Sequence, residues 1–526
     1  MLRFQPDTAV DARVGASVTR LLQPDYAPDL VLTDGCESEW PADRPGRLIL
    51  ALSHLSQLTA TVNPRLELLV ACLPQYLNEQ GYFGTIQQGF DEQQLAGHGW
   101  LVSGLLHHSH VTHDASAEAI ARRIVRNLFL PLRGQLATYP EPRHDADGAA
   151  SGSIVSNAGT WLLSSDTYAI FISLEALVSA YERWRDPAIS DLIKEFFDLI
   201  ERDDLVAGHA QLHATMTAAR CAAIFARLSH DDRGLRIALG LYNDYRTHAR
   251  TLNSATINWF GRPDTWTEPC AMVDTQLLAR ELWRATGERS YLDDAILIET
   301  NALGYAQKPG GGFGLDFVAS PECPVLHNRV YDAAWCCTMR GAVGLVDARL
   351  GSLRLTPSHG AEGENCLEIE SPHQGTIILD GEAATLAMET HYPHGTGVTL
   401  AFTGNQSMSV VLHLPSWAAV RHIDRTSEGR VVTNDINIAL VPGQTAVLKI
   451  RTPTRFVENR TTTGGPIAVS YYQGSTLMAI PLMQENGGGA AASVSDVFNG
   501  PRHEAETRKL NVAFQGPSTV PGYMPR

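Results

Sequence analysis

Two short strings carry residue types from which chemistry can be built: Thr267-Glu268-Pro269-Cys270 and Trp335-Cys336-Cys337-Thr338-Met339-Arg340. Each precedes apolar residues at helical spacing, with Thr267 placed as an N-cap and Pro269 tolerated in a first turn. A helix N-terminus offers free N–H groups and partial positive charge, which favour thiolate and carboxylate over their protonated forms. If the two helix starts meet, Glu268, Cys270, Cys336 and Cys337 supply one carboxylate and three thiolates, enough for a tetrahedral Zn2+. The spacing matches no familiar zinc finger. The same residues also read as two buried small hydrophobes, Cys336 and Cys337, and a first-turn acid.

The elements that must position these strings are legible from periodicity. Between about residues 45 and 350, apolar residues recur at helical spacing in segments separated by Gly, Pro, Asp or Asn, as in Ile189 to Ile200, His213 to Leu228 and Ala271 to Ala285. No strand-helix alternation intervenes, so a toroid of helical hairpins is predicted rather than a parallel sheet. After residue 350 the period becomes two, as in Met408, Val410, Leu412 and Leu414 or Ile436, Ile438 and Leu440. That pattern predicts an antiparallel sandwich. The expected fold is α+β and multidomain, an (α/α)6-type toroid followed by an antiparallel β-sandwich. Residues 1–45 form an N-terminal segment able to add strands to the sandwich, 46–350 the helical barrel, 351–485 the sandwich and 486–526 a flexible tail.

Composition narrows the function classes. The chain has 526 residues, 44% hydrophobic and 19% charged, which excludes disorder as the main state. Its 57 acidic residues against 41 Lys and Arg leave a net charge of −16, which repels nucleic-acid phosphates and anionic membranes. No run of about 18 apolar residues is present, and the opening residues lack a basic region followed by an apolar one. A cytoplasmic protein is expected. In that setting eight cysteines suggest metal binding or catalysis more than disulfides.

The strings GRPDTWTEPCAMVDTQLLARELWRATGE, DAAWCCTMRGA, LAMETHYPHGTGVTLAF and VVLHLPSW, in this order over roughly residues 80 to 480, resemble glycoside hydrolase family 127, the beta-L-arabinofuranosidases, and its relatives. The resemblance implies zinc on Glu268, Cys270, Cys336 and Cys337. It implies Cys336 as the nucleophile that forms a thioglycosyl intermediate, and net retention after hydrolysis. The Gly-His strings AGHGW and AGHAQ place His98 and His209 at the sugar, with His213 and Gln211 as weaker candidates. Each of these histidines reads alternatively as a structural residue.

The sequence departs from the family at two places. The family's acid/base glutamate lies 16 residues before its zinc-binding glutamate, where this chain carries Leu252, Asn253 and Ser254. Asp264 and Glu322 are candidate substitutes, with Asp316 and Asp332 behind them, and each also reads as a surface or cap carboxylate. Trp335 stands where the family has a small residue, either as a stacking face for the sugar or as core.

The expected activity is that of a retaining glycosidase on a furanoside such as a beta-L-arabinofuranoside, with an oligosaccharide or glycoside as partner. A homodimer is compatible with the sequence. Two alternatives remain: a carbohydrate-binding or regulatory homologue that keeps a structural zinc site, and another toroid enzyme such as a lyase or unsaturated-uronyl hydrolase.

Overall fold

The computed structural model describes residues 2–6, 11–59, 61–140, 155–262, 266–314, 316–317, 332–357, 365–379, 384–392, 397–424, 429–432, 434–451, 453–460 and 466–479. Among them six helices pack in sequence around a ring that closes on itself: Asp43–Thr59, Glu92–Thr112, Ser173–Trp184, Leu212–Ser229, Pro269–Thr286 and Cys337–Val346. We call these the first to sixth inner helices.

Burial separates inner from outer helices. The outer helix Pro187–Arg202 starts on Asp186, whose side chain accepts from Ala188 N–H, with Pro187 in the first turn. It buries one stripe, including Ile189, Leu192, Ile193, Phe196 and Ile200, as a helix with one covered face should. The second inner helix is instead buried on nearly every side from Glu92 to Ser109. Its neighbours come so close that a Cβ on Gly97 would lie 2.1 Å from the Pro41 carbonyl oxygen, and one on Gly99 2.5 Å from that of Ile172. The glycines of AGHGW are therefore required by packing.

The N-terminal residues join both bodies. Strand Leu2–Pro6 pairs antiparallel with Gly375–Leu379 at the edge of a six-stranded sheet. Helix Ala12–Leu21 packs on the sixth inner helix and Pro28–Glu37 on the first, so this segment also completes the outer layer.

The second sheet has five strands, and both sheets bury alternate residues in one apolar core, such as Ile436, Ile438 and Leu440 from the second and Leu386 and Met388 from the first. Among the described residues of these two sheets, strand pairing is antiparallel except between Asn365–Ile369 and Met408–His413, which run parallel. The sandwich is tied to the toroid by Glu370, which is fully buried and accepts from Arg280 Nη1 at 3.1 Å and Arg284 Nε at 2.7 Å. The predicted tail, 486–526, lies outside the described residues. No described helix is long and apolar enough to cross a membrane.

Candidate metal and active site

The fifth and sixth inner helices begin side by side at one end of the ring. The helix Pro269–Thr286 has Glu268, not Thr267, at its N-cap, with Pro269 in the first turn; the extended backbone of Glu268 comes from pairing of its N–H with the Thr256 carbonyl. The sixth helix starts at Cys337, with Cys336 as its N-cap residue. The ligand atoms of Glu268, Cys270, Cys336 and Cys337 consequently all lie within 4.8 Å of one another. Sulfur–sulfur distances are 3.6 Å for Cys270–Cys337 and 3.3 Å for Cys336–Cys337, so these are unbridged thiols.

The electrostatics of the cluster call for a cation. Burial pushes Glu268 well above the usual carboxylate range, and the charges of Cys270 and Asp166 push it further. Burial also raises Cys270 to about 11 and Cys337 well above the ordinary thiol value. Cys336 goes the other way, to about 6, because the Cys270 and Cys337 thiols hydrogen-bond to it and Arg47 lies near, against the effect of burial. All four groups can ionise together only beside a compensating charge. Arg47 supplies part of it, with Nη1 3.6 Å from Cys270 Sγ and Nε 2.8 Å from Asp43. Glu268 Oε2 is buried without a hydrogen-bond partner, as a ligating oxygen would be. The cluster could hold a metal ion, and its hard-plus-soft donor set suits zinc.

One floor of the site went unnoticed in the sequence. Trp100, on the second inner helix, carries two guanidinium groups over its ring, Arg47 at 4.5 Å and Arg340 at 4.7 Å from the ring centre. His213 stacks on the same ring at 5.3 Å. The histidine stands between Glu268, with Nδ1 3.8 Å from Oε1, and Asp274, with Nε2 3.3 Å from Oδ2. Asp274 in turn accepts from Arg220 Nε at 2.8 Å and Arg340 Nη2 at 2.6 Å. Burial works against its ionisation, but the two arginines outweigh burial and hold it well below the usual carboxylate range. A signal for this network existed: Asp274 lies one helical turn beyond Cys270, and Arg340 one beyond Cys336 and Cys337.

The remaining predicted residues divide. His98 is fully buried, with Nδ1–H donating to the Gln94 carbonyl at 2.7 Å and Nε2 accepting from Phe83 N–H at 2.9 Å. This corrects its expected place at the sugar, because both nitrogens are used by the backbone. Burial lowers it to about 4, so it is neutral. His98→Phe is therefore expected to cost about 1–3 kcal/mol of stability by leaving Phe83 N–H unpaired. Chemical denaturation checks this, and KM should not move.

His209 is half-buried with φ +48°, a left-handed conformation rare for a non-glycine residue, and its carbonyl accepts from the Thr167 hydroxyl at 2.6 Å. Gln211 sits beside it, bridged to Trp259, and segment 256–260 lies between Gln211 and Thr267. Gln211 Oε1, both amide atoms of Asn258, and Trp259 Nε1 are buried without partners. Asn258 and Trp259 form a polar strip that the sequence did not single out.

Trp335 is 55% exposed, which removes the core alternative. Asp332 is engaged by Arg20 Nε at 2.8 Å and the Thr338 hydroxyl at 2.9 Å. Tyr26 donates to the Ala334 carbonyl at 2.7 Å, so the N-terminal segment braces the cysteine doublet. Residues 252–254 are buried and bring no carboxylate. Asp264 and Glu322 lie outside the described residues, as does the Asp316 side chain.

With this geometry in place, solved structures supply the comparison. The chain superimposes on the GH127 beta-L-arabinofuranosidase Ara127N of Geobacillus stearothermophilus T6 with a TM-score of 0.65, covering 91% of this chain and 86% of that one at 13% identity. The fold is that of the GH127 beta-L-arabinofuranosidases. A GH127 beta-arabinofuranosidase and a protein described as a glycoside hydrolase each match with a TM-score of 0.63 and 13% identity, covering 89% and 90% of this chain and 81% and 83% of theirs. No family model and no curated protein matches the sequence. On this GH127 fold the thiol cluster stands at the mouth of the toroid where the inner helices begin.

Proposed function

We propose that this protein is a retaining glycoside hydrolase acting on a furanoside such as a beta-L-arabinofuranoside. The observation that carries the reading is the meeting of Glu268, Cys270, Cys336 and Cys337, from segments far apart in sequence, in one cluster on a GH127 fold. Zinc held by these four side chains would keep the thiols deprotonated near neutral pH.

The reading assigns Cys336 as nucleophile. Its Sγ forms a bond to the anomeric carbon while the bond to the leaving oxygen breaks, and water then attacks the thioglycosyl carbon, giving up a proton to the carboxylate that protonated the leaving oxygen, to release sugar and thiolate with retention. The leaving oxygen takes a proton; Asp264 and Glu322 are our candidates to donate it. His209, Gln211 and His213 are assigned to sugar hydroxyls, with the orphaned amide atoms of Gln211 and Asn258 in support. Trp335 is assigned to stack on the sugar or its aglycone. Trp335→Ala is expected to raise KM roughly fivefold, about 1 kcal/mol, with kcat and stability nearly unchanged. Steady-state kinetics and a melting curve check this.

Mass spectrometry after incubation with an activated arabinofuranoside, paired with metal analysis of the purified protein, tests the whole reading. A glycosyl adduct on Cys336 and stoichiometric zinc are expected; protein without zinc or adduct would end it. The absence of a carboxylate at 252–254 favours one second reading, a sugar-binding homologue with a structural metal site, for which sugar binds and no adduct forms.

A further inference from the structure

We propose that the opposite end of the barrel holds a second binding site, for a neutral, hydroxyl-rich small molecule of monosaccharide or polyol type. The inner helices start at the thiol cluster and run away from it. Beyond the layer in which Asp274 binds Arg220 and Arg340, they enclose a cavity of about 700 Å3. Small-molecule sites span about 300–1,000 Å3. Along the fifth inner helix the lining residue Leu277 lies seven positions beyond Cys270, roughly 10 Å at the helical rise. The cavity therefore shares no lining residue with the metal cluster.

The lining selects the ligand class. Leu50, Leu277, Val343 and Val346 give an apolar wall on the first, fifth and sixth inner helices, interrupted by His54, Gln57 and Arg340. Ser103, His107, Glu175, Ser179 and Arg220 give a polar wall on the second, third and fourth. The polar wall is pre-ordered: Ser103 donates to Glu175 at 2.9 Å, and Ser179 to Ser103 at 3.3 Å. The formal charges of the lining balance, with three arginines, Arg183, Arg220 and Arg340, and three carboxylates, Glu175, Glu182 and Asp347. A lone anion or cation would enter without compensation, whereas a molecule with one C–H face and many hydroxyls meets both walls.

A second observation points to the same place. His54 and His107 stack at 3.9 Å with their planes 14° apart, and both rings line the cavity. His107 Nε2 is buried without a hydrogen-bond partner. Burial holds both imidazoles in the neutral form, which can accept from a hydroxyl. Because the cavity lies apart from the thiols, the inference stands whether or not the protein hydrolyses glycosides.

The test uses the full-length protein with labelled histidines, titrated with L-arabinose, D-glucose and ribitol while the imidazole resonances of His54 and His107 are followed. At least one probe should shift them saturably. The cavity-filling variant Val343→Phe should weaken that response at least tenfold while metal content and any turnover stay as in the parent. If that variant fails to fold, Ser179→Leu serves the same purpose. Silent imidazoles with all three probes overturn the proposal. So does an equal response in the folded variant, or a response to citrate with the neutral probes silent.

Discussion

Cys336→Ser is expected to lower kcat/KM by about a thousandfold or more. Three thiols share the cluster, but Cys270 and Cys337 are buried and Cys336 alone is partly open, so in the proposed reaction it is the thiol placed to meet an incoming anomeric carbon. Cys270 and Cys337 lie behind it, hydrogen-bonded to its sulfur, which lowers its affinity for a proton. A serine hydroxyl at that place would remain protonated and would be a weaker ligand. Turnover and metal content are measured on the same preparation. Lost turnover with metal retained assigns Cys336 to bond formation, and full turnover removes that assignment.

The largest stability effect is expected at a residue with no chemistry of its own. Asp274→Ala should cost about 3–5 kcal/mol, because it leaves two buried guanidinium groups without their shared counter-charge. Asp274 is fully buried and binds both Arg220 and Arg340, and Arg340 in turn lies over the Trp100 ring on which His213 stacks. Loss of the carboxylate therefore reaches His213 and the site above it. Urea denaturation gives the number; a loss below about 1 kcal/mol would mean that Glu175 alone can hold Arg220 and that Arg340 finds another partner. Asp274→Asn, which keeps the shape and loses the charge, should fall between.

Much of the scaffold was legible because its signals are local. The stripe Ile189, Leu192, Ile193, Phe196 and Ile200 reads as one covered helix face, and the helix is there. The four metal-binding candidates were legible as a donor set, but their meeting depends on closure of the ring, which no spacing encodes. Asp274, Arg220 and Arg340 were missed for a physical reason: charges within helical runs normally mark a solvated face, and here they pair between neighbouring inner helices inside the barrel. For His98 the Gly-His string leaves a sugar and a structural reading open, and packing decides what the string cannot: the glycines serve close approach and the imidazole bonds two backbone groups. The helices at Ala12–Leu21 and Pro28–Glu37 were not expected; they are short, and the first of them packs on Cys337–Val346, more than 300 residues further along the chain.

That last arrangement bears on how the chain is made. Leu2–Pro6 hydrogen-bonds to Gly375–Leu379, and Arg20 and Tyr26 bind Asp332 and Ala334 beside the cysteine doublet. On the ribosome residues 2–26 must wait for partners synthesised more than 300 residues later. The barrel therefore cannot close vectorially. The cysteine doublet receives its braces only after residues 332–337 have left the ribosome, so its completion falls late in biogenesis.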